Sequence, residues 1–226
     1  GGGEAGAAEQ VAAAEPLRAS LGAPAVAAPV MAAAEPAAAV GPPVYRVAEI
    51  DAVSLREFDF FEPAALARAE RALAEIVGVE GPITAPLVAK RLAGVFGVQR
   101  MTARFHERCE RVAAGLIERG EIVLVDDAYW PAGADSADAR VVRVPSEEAE
   151  SQRGVDELPR VELRNAVVWV LRAQFGLPQE DLVRETAGLL GLGRATIRIR
   201  EPIGAAIEDA ISAGLAERVG ERIMPR

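Results

Sequence analysis

A chain of 226 residues can hold one large or two small domains. Half of it is hydrophobic but only 4% is aromatic, so any core must be built from Leu, Val, Ile and Ala. The net charge of −9 excludes capture of a polyanion by overall charge alone. The single cysteine, Cys109, excludes an internal disulfide and suits a reducing cytoplasm. No apolar run approaches the ~20 residues that a membrane span needs.

The charge is unevenly placed. Residues 1–63 carry 9 acids and 3 bases, and 131–159 carry 7 and 3. Residues 64–130 carry 9 and 9, and 160–226 carry 9 and 10, so the acidity belongs to a tail and a linker. There is one lysine, Lys90, against 24 arginines, which a GC-rich genome explains without any nucleic-acid function. The opening GGGEAGAAEQ has neither initiator Met nor the features of a signal peptide, which suggests a fragment or a processed chain.

Residues 1–44 are Ala, Gly, Pro and Glu with little to bury, and read as a disordered linker. From Val44 the texture changes, and Tyr45, Phe58, Phe60 and Phe61 suggest an apolar arm laid on the domain that follows. Glu62-Pro63 opens a helix whose Leu66, Ala69, Leu73, Ile76 and Val77 share one face. Thr84 is placed to cap a second helix, with Leu87, Val88, Leu92, Val95 and Phe96 inward and Gly97 as its stop. Thr102 caps a third, in which Phe105, Cys109, Val112, Ala113, Leu116 and Ile117 form an amphipathic stripe. Glu121–Val125 and Ala128–Trp130 read as a hairpin around an Asp126-Asp127 turn. Residues 131–139 read as a loop, Val141–Val144 as a third short strand, and 145–159 as an acidic linker.

A second helix–turn–helix pattern follows from Pro159. Gly97, Arg100, Thr102 and Arg104 recur 94 residues later as Gly191, Arg194, Thr196 and Arg198. Aligning Ala114–Leu124 with Ala213–Ile223 requires five extra residues, and Pro202 suggests that the last long helix starts or kinks there. The expected fold is therefore mainly α with small β wings (α+β), as tandem winged-helix-like repeats. The expected domains are an arm plus a first repeat over 45–135, a strand and acidic linker over 136–159, and a degenerate second repeat over 160–226.

No catalytic constellation emerges. His106 and Cys109 sit at i, i+3, too few ligands for a metal. VGVEG and GLLGLG neither follow a strand nor open a helix, and no phosphate-binding G-x-x-x-x-G-K-[ST] loop is present. No cofactor is expected. The feature with functional content is an arginine face on the third helix, formed by Arg100, Arg104, Arg108 and Arg111 and echoed by Arg194, Arg198 and Arg200. In a winged helix such a face contacts DNA phosphates or base edges. The same residues also suit a solvated face paired with Glu107 and Glu110, and Arg100 and Arg194 equally suit capping of the preceding helix. A protein-interaction or dimerisation role would instead use Phe58, Phe60 and Phe61 of the arm, or Tyr129 and Trp130 of the wing.

The run EIVGVEGPITAPLVAKRLAGVFGVQRMTARF (75–105), the preceding VYRVAEI and the later GLLGLGRATIRI resemble a bacterial domain of unknown function. That domain sits at the extreme C-terminus of very large proteins with a superfamily-one, AAA-type helicase core and a restriction-endonuclease-like domain. The resemblance covers 45–226 and implies DNA transactions for the parent, with upstream helicase and nuclease domains as partners in the same polypeptide. It carries no catalytic residues onto this region. A free-standing winged-helix transcription regulator is a weaker alternative.

Overall fold

The computed structural model describes residues 41–51, 59–134 and 140–226. Most of the expected disordered lead-in, Phe58 of the arm, and the loop at 135–139 lie outside the described residues.

Two similar units follow one another. The first contains α1 (Leu66–Glu80), β1 (Ile83–Thr84), α2 (Ala85–Phe96), α3 (Ala103–Glu118), β2 (Ile122–Val125) and β3 (Ala128–Pro131). The second contains α4 (Arg160–Gln174), β4 (Leu177–Pro178), α5 (Gln179–Leu189), α6 (Ile197–Ser212), β5 (Ala216–Val219) and β6 (Arg222–Pro225). Each unit packs three helices against a three-stranded antiparallel sheet, with strand orders β1-β3-β2 and β4-β6-β5. This is the α+β, winged-helix-like arrangement expected, with one change. The third strand of each sheet is the two-residue segment before the second helix, not Val141–Val144. Val144 instead makes a single parallel bridge to Val44 of the arm.

Local chemistry accounts for the boundaries. The Thr102 hydroxyl accepts the Phe105 N–H at 3.3 Å and caps α3. Gly97, at φ 69°, closes α2 in the left-handed conformation that costs glycine least, and Gly191 holds the matching place after α5. Thr84 does not cap α2; its hydroxyl donates instead to the Glu157 carbonyl at 3.2 Å, tying the first unit to the linker.

The repeat is more regular than the sequence alignment suggests. Leu66, Ile83, Ala85, Ala103, Ile122 and Ala128 each begin an element whose counterpart begins 94 residues later, at Arg160, Leu177, Gln179, Ile197, Ala216 and Arg222. No gap is needed, and the five-residue insertion is an artefact of aligning similar AGL segments out of register. Pro202 neither starts nor ends α6 but lies inside it. It removes one N–H from the helical ladder. The helix continues because Ile203, Ala206, Ile207 and Ala210 bury its inner face.

Each unit has its own core. In the first, Phe60, Leu73, Ile76, Leu87, Leu92, Phe105, Leu116 and Ile122 are fully enclosed. In the second, Leu171, Leu182 and Ile203 hold that role, with Val167, Ile207 and Ile223. Leu66 and Ile117, placed inward by periodicity, lie at the edge and are exposed.

A buried polar node ties the arm, the first unit and the linker to α4. Glu80, at the end of α1, accepts from the Tyr45 hydroxyl, from the Ala48 N–H at 3.0 Å and from Arg91 Nε at 2.9 Å. Glu162, in the first turn of α4, accepts from Arg143 Nη2 and Arg153 Nη1, both at 2.7 Å. Arg143 also donates to the carbonyls of Glu80 at 2.6 Å and Pro82 at 2.8 Å. The Arg153 guanidinium stacks 3.9 Å over the Tyr45 ring. Both carboxylates are fully buried, so their multiple charge-assisted partners are what makes the burial tolerable. The Tyr45 hydroxyl is pushed well above its usual range by burial and then by the Glu80 charge, so it stays protonated and donates.

Candidate nucleic-acid interface

The third helix of each unit presents its arginines differently. In the first unit, Arg100 lies exposed in the turn before α3, and Arg104 and Arg111 are exposed along it. Arg104 stacks 4.5 Å over the Phe61 ring. Arg108 is half-buried, its Nη2 3.4 Å from the Glu62 carbonyl, and its Nε has no partner among the described residues. Arg111 Nε donates to the Glu107 carbonyl at 3.4 Å, not to its carboxylate. None of Arg100, Arg104, Arg108 and Arg111 forms a salt bridge among the described residues. The interleaved glutamates therefore do not neutralise this face by pairing.

In the second unit the same helix positions read differently. Arg194 and Arg198 are exposed, but Arg198 pairs with Asp156 at 3.3 Å. Arg200 donates to the Ala195 carbonyl at 2.8 Å. The counterparts of Arg108 and Arg111, at the same 94-residue spacing, are Pro202 and Ala205. Helical spacing puts Arg104, Arg108 and Arg111 on one face of α3, with Arg100 in the turn before it, and the second unit has no equivalent stripe. The first wing does not extend this surface with positive charge. Its turn residue Asp127 accepts the Arg160 N–H at 3.2 Å, at the first turn of α4, where a carboxylate complements the helix dipole.

The aromatic residues expected to meet a partner lie mostly inside. Among the described residues, Phe60, Tyr129 and Trp130 are buried and Phe61 is partly open. Phe60 packs on Phe96 at 5.0 Å and Phe105 at 4.8 Å between ring centroids. The arm needs Phe60 to complete a core that is otherwise poor in aromatics, and this overrides any role as an exposed anchor. Among the described residues the exposed aromatics are Trp169 and, more openly, Phe175, in the left-handed conformation at the end of α4. Sequence periodicity shows Trp169 at a boundary, but it carries no signal for Phe175.

The buried node leaves only a faint sign in the sequence. Glu80 continues the apolar spacing of Leu73, Ile76 and Val77, and Glu162 stands directly before the inward Leu163. A carboxylate on a core stripe requires a cation nearby. Arg91, Arg143 and Arg153 supply it from elsewhere in the chain.

Among the described residues no group of three or more His, Cys, Asp or Glu side chains could hold a metal. His106 lies exposed beside Phe105, while Cys109 is buried at the floor of a small recess of about 180 Å³. Burial, then the neighbouring Glu110 charge, pushes the Cys109 thiol up to about 12. It should therefore remain a thiol at neutral pH and react with a disulfide reagent at least ~100-fold more slowly in the folded chain than in denaturant. Comparable rates in the two states would contradict the burial.

The described residues thus form two repeats of one α+β unit, the first with three arginines spaced along one face of its third helix. Residues 59–107, from the arm into the third helix of the first unit, match the family model described as "Protein of unknown function (DUF3320)". The matched segment contains Phe60, Phe61, Arg100 and Arg104. No curated protein matches the chain, and no solved structure matches it. No described helix is long and apolar enough to cross a membrane.

Proposed function

We propose that this chain is a non-catalytic accessory module of a bacterial helicase- or nuclease-type protein, and that it holds DNA through the first unit. The observation that carries the reading is the α3 surface of Arg100, Arg104, Arg108 and Arg111, none of them neutralised by a carboxylate partner. The winged-helix-like order of elements supports it, since the third helix is the one that such folds lay in the major groove. The parent context rests on the resemblance of residues 45–226 to the C-terminal domain of large helicase–nuclease proteins. The second unit serves as support in this reading, because Arg198 is paired and Pro202 and Ala205 replace two of the arginines.

Fluorescence anisotropy of labelled 20-base-pair duplex and 20-nucleotide single strand, over a salt series, tests the reading. Binding at low salt should weaken steeply as salt rises. The double variant Arg100→Ala, Arg104→Ala should lower the slope of log K against log salt for duplex by about 1.8, two phosphate contacts' worth. Both side chains are exposed, so the variant keeps the fold. Absence of binding at low salt, or an unchanged slope, would overturn the reading.

A further inference from the structure

Of the three arginines on α3, Arg104 is the one that spends no hydrogen-bond donor within the chain among the described residues. Arg108 turns Nη2 to the Glu62 carbonyl and Arg111 turns Nε to the Glu107 carbonyl, both at 3.4 Å. Arg104 is held by its face instead, with Cζ 4.5 Å from the centroid of the Phe61 ring. A contact through the face leaves the five N–H donors, which lie in the guanidinium plane, uncommitted. The ring beneath is itself anchored. Phe61 meets the edge of Phe60 at 5.8 Å between centroids, and Phe60 is 2% exposed in the core of the first unit. The Phe61 N–H is tied to Asp59 Oδ1 at 2.9 Å.

The second unit shows what the ring changes. At the 94-residue spacing, Phe61, Glu62 and Arg104 are matched by Val155, Asp156 and Arg198. With valine in place of the ring, Arg198 pairs with the Asp156 carboxylate at 3.3 Å. Glu62 also carries a carboxylate, yet no salt bridge joins it to Arg104 among the described residues. The aromatic face takes the place of the acid, so the cation is oriented without being neutralised.

We propose that Phe61 positions Arg104 to read a guanine in the major groove of duplex DNA, with the guanidinium edge donating to O6 and N7 together. This rests on the DNA-binding reading above and deepens it from a charge contact to a sequence-selective one. Arg104 stands in the first turn of α3, the end of a recognition helix that meets base edges. Guanine presents two acceptors side by side to an arginine fork, and a fork already oriented loses less freedom on docking. On a duplex without that base the same cation rests on phosphate, as in non-specific complexes.

The test is repeated selection from a randomised duplex pool by the full chain. Selected duplexes should share a guanine at one position. Replacing it by adenine, or by 7-deazaguanine, which lacks the N7 acceptor, should weaken binding at least ~10-fold. Arg104→Gln removes the fork and Phe61→Leu removes the ring; each should bring the guanine and adenine duplexes to within about 2-fold of one another. Phe61→Leu keeps every charge, so its salt slope on unselected duplex should match that of the wild-type chain. Phe61→Tyr, which retains the ring, should keep the discrimination. No shared guanine among the selected duplexes, or undiminished discrimination by either Arg104→Gln or Phe61→Leu, would overturn the proposal while leaving salt-dependent binding, and with it the broader reading, intact. Absence of binding to any duplex at low salt would overturn both.

Discussion

Glu162→Ala is expected to destabilise the chain by about 3–5 kcal/mol, read as a lower denaturation midpoint at unchanged slope. The carboxylate is fully buried and is the shared acceptor of Arg143 and Arg153. Its removal leaves Arg153, whose side chain is only 3% exposed, as an uncompensated buried cation. The same group makes stability depend on pH. Burial alone would raise the Glu162 pKa, but hydrogen bonds and charge from Arg153 and Arg143 outweigh it and hold the carboxyl below its ordinary range. A depressed carboxylate contributes stability that is fully present above the unfolded pKa, about 4.3, and is lost as pH falls through the folded value. Urea midpoints should therefore drop below about pH 4, and Glu162→Gln should flatten that drop. A variant as stable as the wild-type chain at pH 7 would mean that the node contributes no net stability.

Phe60→Ala should cost about 3–5 kcal/mol, the loss expected for a large aromatic removed from a packed interior. Phe60 is 2% exposed and meets three other rings, with centroids at 5.8 Å to Phe61, 5.0 Å to Phe96 and 4.8 Å to Phe105. Phe61→Ala, at a partly open position, should cost less. It should also loosen Arg104, whose guanidinium rests on that ring. Calorimetry of the two variants distinguishes an arm that completes the core from one that waits for a partner. Equal, small shifts for both would place Phe60 back on the surface.

The sequence made the helices legible because their inward residues recur at helical spacing, as from Phe105 to Leu116, and because Thr102 and Gly97 mark boundaries with definite backbone chemistry. The hairpin was legible from the Asp126-Asp127 turn between two apolar stretches. What periodicity could not convey was contact between residues far apart in the chain. Thr84 has the composition of a cap, yet its hydroxyl meets a carbonyl 73 residues away. Pro202 has the composition of a helix start, yet tertiary burial of its neighbours carries the helix through it. Arg143 and Arg153 lie in a stretch that reads as a polar linker, and only the fold brings them to Glu162. The arginine face was visible as a pattern. Which of its side chains are spoken for became visible only from their partners: Phe61 for Arg104, Glu62 for Arg108 and Asp156 for Arg198.

The unbroken 94-residue register means that the two halves differ by substitution and not by length, from the start of their first helix to the end of their last strand. Equal length keeps every side chain of one half at a defined counterpart in the other, so divergence can be followed position by position. Along the third helix it runs both ways: Arg108 and Arg111 stand against Pro202 and Ala205, while Ala114 and Gly115 stand against Glu208 and Asp209. A scaffold used twice thus carries two different outer surfaces on one backbone plan, so that either surface can be exchanged for the other by substitution alone, without moving an element boundary.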